Sequence, residues 1–294
     1  GFSAAITAAS SIVSPIIPPG IVLIIYALLS NVSVTKMFIA GYVPGALIAI
    51  SLMITVAIIS KKRKYVPVRE KRASLQEVFK QFKESIWALI LPFVIILGMR
   101  IGIFTPTEAG AIAVVITTLI GIFIYKELKL TKFPEILKET VYGTSTVMFI
   151  IIAANVFGAY LSWERIPFKL TNILLEFSTS PWSLLLLINL ILLFVGMFID
   201  GGAAMIILAP LLIPAALKLG IDPLHLGIVM VVNIMIGGVT PPFGSMMFLT
   251  CSLLNIKLEE FMKEITPFIV ALLLVLFILT YIPDIVLFLP NLLS

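Results

Sequence analysis

The sequence predicts an all-α polytopic membrane protein, an inverted repeat with broken helices and a re-entrant hairpin, and three observations carry that prediction. Of its 294 residues 61% are hydrophobic and 12% charged, about half the charged share of a typical globular domain, too little to solvate a soluble surface. Apolar runs near the length of about 20 residues that a bilayer crossing needs occur at Met37 to Ser60, Ser85 to Phe104, Thr107 to Tyr125, Val141 to Trp163 and Ile265 to Ile282. Two further runs are interrupted by the pairs Pro18-Pro19 and Pro241-Pro242, where missing amide donors stop a helix from continuing.

The first element, residues 1-60, reads as the end of a first repeat: a broken helix over 4-29, interrupted at Ser14 to Gly20, and a span over 37-60. Residues 61-84 form a basic cytoplasmic loop holding Lys61, Lys62, Arg63, Lys64, Arg69, Lys71, Arg72, Lys80 and Lys83. Placing it in the cytoplasm orients the whole chain, because each span reverses the side of emergence. Three membrane spans follow over 85-163, and the loop between the second and third, with Lys126, Lys129, Lys132 and Lys138, is then also cytoplasmic. This is the positive-inside pattern, so the net charge of +5 reports orientation and excludes a nucleic-acid partner. Within the spans, Thr105-Pro106-Thr107-Glu108 fits a capping box with proline at the first helical position.

Residues 164-181 read as an interfacial helix, with Leu170, Ile173, Leu174 and Phe177 at helical spacing. The run over 182-219 is interrupted at Asp200-Gly201-Gly202. Two full crossings would need a turn without a polar loop there, so it reads as a re-entrant hairpin with its tip at mid-membrane depth, which is tolerated only where protein or water covers the backbone. Residues 223-294 hold the second broken helix, interrupted at Gly237 to Pro242, and the last span. The two broken segments align at a constant offset that pairs Pro18 with Pro241, Pro19 with Pro242, Phe38 with Phe261 and Pro44 with Pro267. By parity the first runs outward and the second inward. Paired Gly/Pro interruptions in two inverted halves are the sequence pointer to a secondary-transporter binding site.

Helix breaks at that depth free backbone carbonyls, and a hard cation such as sodium takes oxygen ligands. Ser10, Ser11 and Ser14 precede the first proline pair; Asn233, Gly237, Gly238 and Thr240 precede the second. Asp200 is the acidic residue placed nearest mid-membrane, as a cation ligand, as the N-cap of the second hairpin arm, or both. Small and polar residues at these places also serve close helix packing. His225 has no second ligand at metal-binding spacing, and the lone Cys251 lies in an apolar run as a small core residue. No phosphate-binding loop, nucleophile elbow or zinc-protease motif occurs. A channel would need a continuous polar stripe, which these spans lack, and an intramembrane enzyme would need more than Asp200. With no nucleotide motif, the energy comes from an ion gradient or another subunit. The sequence opens on Gly1 without an initiator methionine or signal peptide, and so is expected to begin inside a larger protein.

Three ordered motifs, Thr7-Ala8-Ala9-Ser10-Ser11-Ile12-Val13-Ser14-Pro15-Ile16-Ile17-Pro18-Pro19, Gly102-Ile103-Phe104-Thr105-Pro106-Thr107-Glu108-Ala109, and Gly220-Ile221-Asp222-Pro223 with Gly227-Ile228-Val229 and Gly238-Val239-Thr240-Pro241-Pro242, resemble the large membrane subunit of the TRAP (tripartite ATP-independent periplasmic) transporters. The resemblance implies an elevator-type sodium symporter in the bacterial inner membrane. Its implied partners are a small TRAP membrane subunit and a periplasmic substrate-binding protein that delivers an organic anion such as a C4-dicarboxylate, sialic acid or a sugar acid. It implies substrate binding at Ser10, Ser14, Gly201, Gly202 and Gly237, and sodium binding at Ser10, Ser11, Asp200, Asn233, Gly238 and Thr240. Ser14 stands where the family often has glycine. The family's first hairpin is absent here, which implies a fragment or split product lacking half of one ion site.

Overall fold

Helix boundaries in this chain are set by caps and prolines more than by where the apolar runs begin. The structure, a computed structural model, describes residues 1–65, 73–178 and 180–293, and its regular elements among these are all helical. In chain order they are α1 (Phe2–Ser11), α2 (Val13–Ile16), α3 (Ile21–Ser30), α4 (Val34–Lys62), α5 (Leu75–Arg100), α6 (Pro106–Leu119), α7 (Phe133–Trp163), α8 (Ile166–Phe177), α9 (Pro181–Gly196), α10 (Gly201–Lys218), α11 (Pro223–Gly237), α12 (Ser245–Leu254), α13 (Leu258–Tyr281) and α14 (Pro283–Leu293). The chain divides into two compact units, Gly1–Lys62 with Ile150–Ser294, and Arg63–Phe149. By length and composition, six helical stretches of the described residues suffice to cross a membrane: Val34–Lys62, Leu75–Arg100, Pro106–Ile124, Phe133–Ala153, Gly201–Lys218 and Leu258–Tyr281.

In the first unit the two broken segments share one plan. Each has a first arm, a Pro-Pro break, a second arm of ten residues, an asparagine in the left-handed conformation (Asn31, φ 56°; Asn255, φ 52°), and a long helix with an internal proline (Pro44; Pro267). Both Pro-Pro bonds are cis. The arms pack crosswise, α1 against α12 and α3 against α11. The two segments therefore run in opposite directions past each other. At the second of these crossings the Tyr26 hydroxyl donates to the Pro223 carbonyl at 2.6 Å; α1 also packs along α13, where the Phe2 and Phe268 rings stand 6.0 Å apart.

Helix α11 forms the centre of this unit. Its residues from Leu224 to Gly237 are all buried, as expected of a helix that is apolar all round, and α3, α4, α9, α10 and α13 pack around it. Tyr26 is itself fully buried. Tyr26→Phe leaves the Pro223 carbonyl short of a donor, at a cost of about 1 to 3 kcal/mol. The expected outcome is a lower melting temperature in detergent with the fold retained, read by thermal unfolding of the purified protein.

In the second unit α5 starts at Leu75, ten residues before the apolar run. Ser74 closes a capping box with Glu77 there, the Glu77 amide donating to Ser74 Oγ at 3.2 Å and the Ser74 amide to Glu77 Oε2 at 2.9 Å. Lys80 and Lys83, expected in a loop over 61-84, are thus helical. Arg69, Lys71 and Arg72 lie outside the described residues. Lys138 is likewise inside α7, which starts at Phe133. The expected capping box at Thr105 is formed, and α6 continues as a π-helical turn, Ile120–Ile124. Between α5 and α6 Gly102 adopts φ 74°, which glycine accepts without a Cβ clash. Tyr125 ties the end of the π turn back to α5 by donating to the Glu84 carbonyl at 3.0 Å.

Two further helices complete the first unit. The helix expected over 164-181 is α8: Thr171 and Leu174 are buried and the helix packs along α10, while Ile173 and Phe177 are exposed. After the last span the chain forms the separate helix α14, whose Val286 and Pro290 are buried and which packs along α4. Pro283 separates it from α13, and proline at a helix start lacks only an amide that would be unpaired in any case.

Candidate functional site

A terminating helix leaves its last carbonyls without intrahelical donors, and the second break shows how far they are satisfied. At the second break the Ile234 carbonyl accepts from Gly238 N at 3.1 Å, Ile236 O from Val239 N at 3.2 Å and Gly237 O from Thr240 N at 2.9 Å. The Gly238 carbonyl accepts from Met246 N at 2.9 Å across the loop, which draws α12 back toward the end of α11. The Thr240 hydroxyl donates to Ile236 O at 2.6 Å, so its lone pairs remain free to accept. None of the described turn hydrogen bonds ends on the carbonyls of Met235, Val239 or Thr240, and all three residues are buried.

The hairpin tip is seated directly on this loop. A Cβ on Gly237 would stand 2.7 Å from both Cα and C of Gly196, and one on Gly196 would stand 2.9 Å from the Ile234 carbonyl. Backbone therefore lies on backbone, and glycine on both sides permits it. The Phe198 and Phe243 rings lie 5.3 Å apart, and a Cβ on Gly201 would run into the Met235 side chain. Asp200 caps α10, accepting from the Gly202 amide through Oδ1 at 3.0 Å, and is exposed. Gly202 faces α3, with Ile25 Cδ1 3.9 Å from the place a Cβ would take. Gly196 is thus brought against Gly237, and Gly201 against Met235 in the last turn of α11.

The first break is built by other contacts. Ser10 and Ser11 donate back into α1, to the Thr7 carbonyl at 3.0 Å and the Ala8 carbonyl at 2.7 Å. Ser10 and Ser14 are exposed and Ser11 half-buried. A Cβ on Gly20 would strike the Pro15 carbonyl, one on Gly41 the Ile16 carbonyl and one on Gly45 the Ile17 side chain, so α4 closes over the break. Helix α2 reaches α11.

Asn233 is fully buried. Its Nδ2 donates to Asn189 Oδ1 at 2.7 Å and to the Asn189 carbonyl at 3.0 Å, and its own Oδ1 has no partner among the described residues. Asn189, with Gly196, was missed by sequence reasoning. The signal was present, since Asn189 is the one side-chain amide in α9 and a polar side chain in an apolar span asks for a partner. His225 is buried, and its Nε2 is 2.9 Å from the Leu279 carbonyl. Among the described residues no group of three His, Cys, Asp or Glu is placed to hold a metal ion. Cys251 is buried and unpaired in a disulfide.

The residues at the second break suit a monovalent cation: they offer neutral oxygens from carbonyls, a hydroxyl and one amide. Residues 1–285 match the family model described as the tripartite ATP-independent periplasmic transporter, DctM component. Over 290 residues the chain is 40% identical to the C4-dicarboxylate TRAP transporter large permease protein DctM of Pseudomonas aeruginosa, covering 99% of this chain and 67% of that protein. It is 40% identical over 291 residues to the sialic acid TRAP transporter large permease protein SiaM of Vibrio cholerae, covering 99% and 68%. It is 38% identical over 289 residues to the isethionate TRAP transporter permease protein DctMQ of Oleidesulfovibrio alaskensis, covering 98% and 45%. The chain thus spans about two thirds of the two large permeases and under half of the third relative. These relatives are transporter permeases, not enzymes. On the family match and these identities, the chain belongs to the DctM family of tripartite ATP-independent periplasmic transporters and is a multi-pass membrane protein.

Proposed function

We propose that the chain forms the core of the large membrane subunit of a sodium-driven symporter for organic anions, acting in a bacterial inner membrane. Its partners on this reading are a small membrane subunit and a periplasmic binding protein that delivers the substrate. The observation that carries the proposal is the second break itself: carbonyls of Met235, Val239 and Thr240 outside the described turn hydrogen bonds, capped by a hairpin tip seated on Gly237. Thr240 Oγ1 and Gly238 would contribute to a sodium site there, with Asp200, the N-cap of α10, as the carboxylate that would bias it toward cations. Ser10, Ser11 and Ser14 supply hydroxyl oxygens around the first break. The substrate class is drawn from relatives named for C4-dicarboxylate, sialic acid and isethionate, all anions suited to helix termini and hydroxyls. A small-subunit partner fits the greater length of the relative named DctMQ beside the chain's shared region. Movement of the first unit as an elevator belongs to the same proposal.

The test is reconstitution of the full-length protein with its partner subunits in liposomes, scanning organic acids with and without an inward sodium gradient. Uptake of at least one acid is expected to require both the binding protein and sodium; uptake indifferent to sodium would remove the proposal. Thr240→Ala is expected to raise the half-saturating sodium concentration about tenfold, the equivalent of ~1.4 kcal/mol for one lost oxygen contact to a charged group. Sodium titration of the uptake rate reads it.

A further inference from the structure

A line of side-chain hydrogen bonds crosses the first unit from α11 through α9 to α13, and its direction is determined from its far end. Thr280 Oγ1 donates to the Leu276 carbonyl at 2.7 Å. A hydroxyl has one proton, so toward Asn189 this oxygen only accepts, and Asn189 Nδ2 donates to it at 2.9 Å. That turns Asn189 Oδ1 toward Asn233. Asn233 then faces two acceptors, Asn189 Oδ1 at 2.7 Å and the Asn189 backbone carbonyl at 3.0 Å, and presents Nδ2 to both. The flipped amide would set oxygen against two oxygens, so the hydrogen-bond network assigns the orientation. One atom is left over, Asn233 Oδ1, on a residue with 0% exposure and with no partner among the described residues.

Buried acceptors without a partner are rare in native proteins. A neutral amide oxygen is a good ligand for a hard monovalent cation, and it can also accept from a trapped water. Asn233 stands four residues before Gly237, about one helical turn, on the helix whose end carries the unclaimed carbonyls. Resting on the sodium-coupled reading above, we propose that Asn189 and Thr280 are positioning residues that hold the Asn233 side-chain oxygen turned outward as a sodium ligand. Neither touches the ion. Both act by denying Asn233 the alternative amide orientation, in which its NH2 would point at the cation.

The inference is tested on the full-length transporter with its partner subunits, using Thr280→Val, Thr280→Ser and Asn189→Leu. Two readouts are taken: the half-saturating sodium concentration for uptake into proteoliposomes, and the rise in melting temperature when sodium chloride replaces choline chloride in detergent. Thr280→Val and Asn189→Leu are expected to raise the half-saturating sodium at least fivefold and to shrink the sodium-induced rise in melting temperature. Their maximal uptake at saturating sodium stays within twofold of the wild type, and Thr280→Ser behaves as the wild type. A Thr280→Val protein that melts lower by the same amount in both salts, with its sodium titration unmoved, overturns the inference: the network is then structural and water fills the Asn233 oxygen. If Asn189→Leu does not accumulate in the membrane, Thr280→Val decides alone, because it exchanges a hydroxyl for a methyl in the same shape. A wild type that transports without sodium removes the parent proposal; a sodium-dependent wild type with unmoved variants removes only this one.

Discussion

Replacing Gly237 by alanine is expected to reduce sodium-coupled uptake at least tenfold while the protein still reaches the membrane. The added methyl would stand 2.7 Å from Cα and C of Gly196 and 3.1 Å from the Leu193 carbonyl. All three are main-chain atoms, which have no rotamer to escape into. The contact is relieved only by parting α9 from α11 near the hairpin tip. Overpacking of this kind costs about 1 to 3 kcal/mol, and 1.4 kcal/mol withdrawn from the bound geometry is a tenfold loss of affinity. The reciprocal change, Gly196→Ala, would set its methyl 2.9 Å from the Ile234 carbonyl and is expected to act in the same direction. Gly110, where a methyl would meet nothing within 4 Å, supplies the control: Gly110→Ala is expected to transport within twofold of the wild type. Membrane accumulation and initial uptake rates, measured side by side, separate loss of folding from loss of the site. A Gly237→Ala protein with wild-type uptake would show that the tip does not need to seat on the second break.

The second large effect is expected at the first break, from Gly20→Ala. Gly20 is the residue from which α3 starts, at φ −97°, a conformation open to any amino acid, so its requirement is one of space. A methyl there would meet the carbonyl of Pro15 across the break. Helix α3 would have to swing away from α2, carrying Tyr26 with it and breaking the hydroxyl bond to Pro223 that ties the first repeat to the start of α11. The expected result is at least a tenfold drop in uptake together with a lower melting temperature, since a buried hydrogen bond and a packed break are lost together. Uptake and thermal unfolding of the same preparation check it. A variant that loses transport at unchanged melting temperature would confine the damage to the break, and one that loses neither would show that the break tolerates opening.

The two glycine predictions rest on contacts that no motif announced, and they mark where sequence reasoning stopped. What the amino-acid sequence determined by itself was everything governed by local chemistry. The scarcity of charge set the solvent as lipid. Pro18-Pro19 and Pro241-Pro242 ended two helices where amide donors run out, and Thr105 and Glu108 closed their capping box because both partners lie within one turn. Asp200 before Gly201 and Gly202 capped α10 for the same reason. The capping box at Ser74 and Glu77 is equally local, yet hydropathy drew attention to Ser85 instead, and no separate helix was read after the run Ile265 to Ile282, where Pro283 starts α14. What only the tertiary structure decided was which helix end meets which: the seating of Gly196 on Gly237, the closing of Gly41 over the Ile16 carbonyl, and the line from Asn233 through Asn189 to Thr280. These are contacts between residues 25 to 91 positions apart along the chain, and they depend on rotation and depth of packed helices, quantities that a near-uniform apolar pattern leaves undetermined because leucine, isoleucine and valine satisfy lipid and protein neighbours alike.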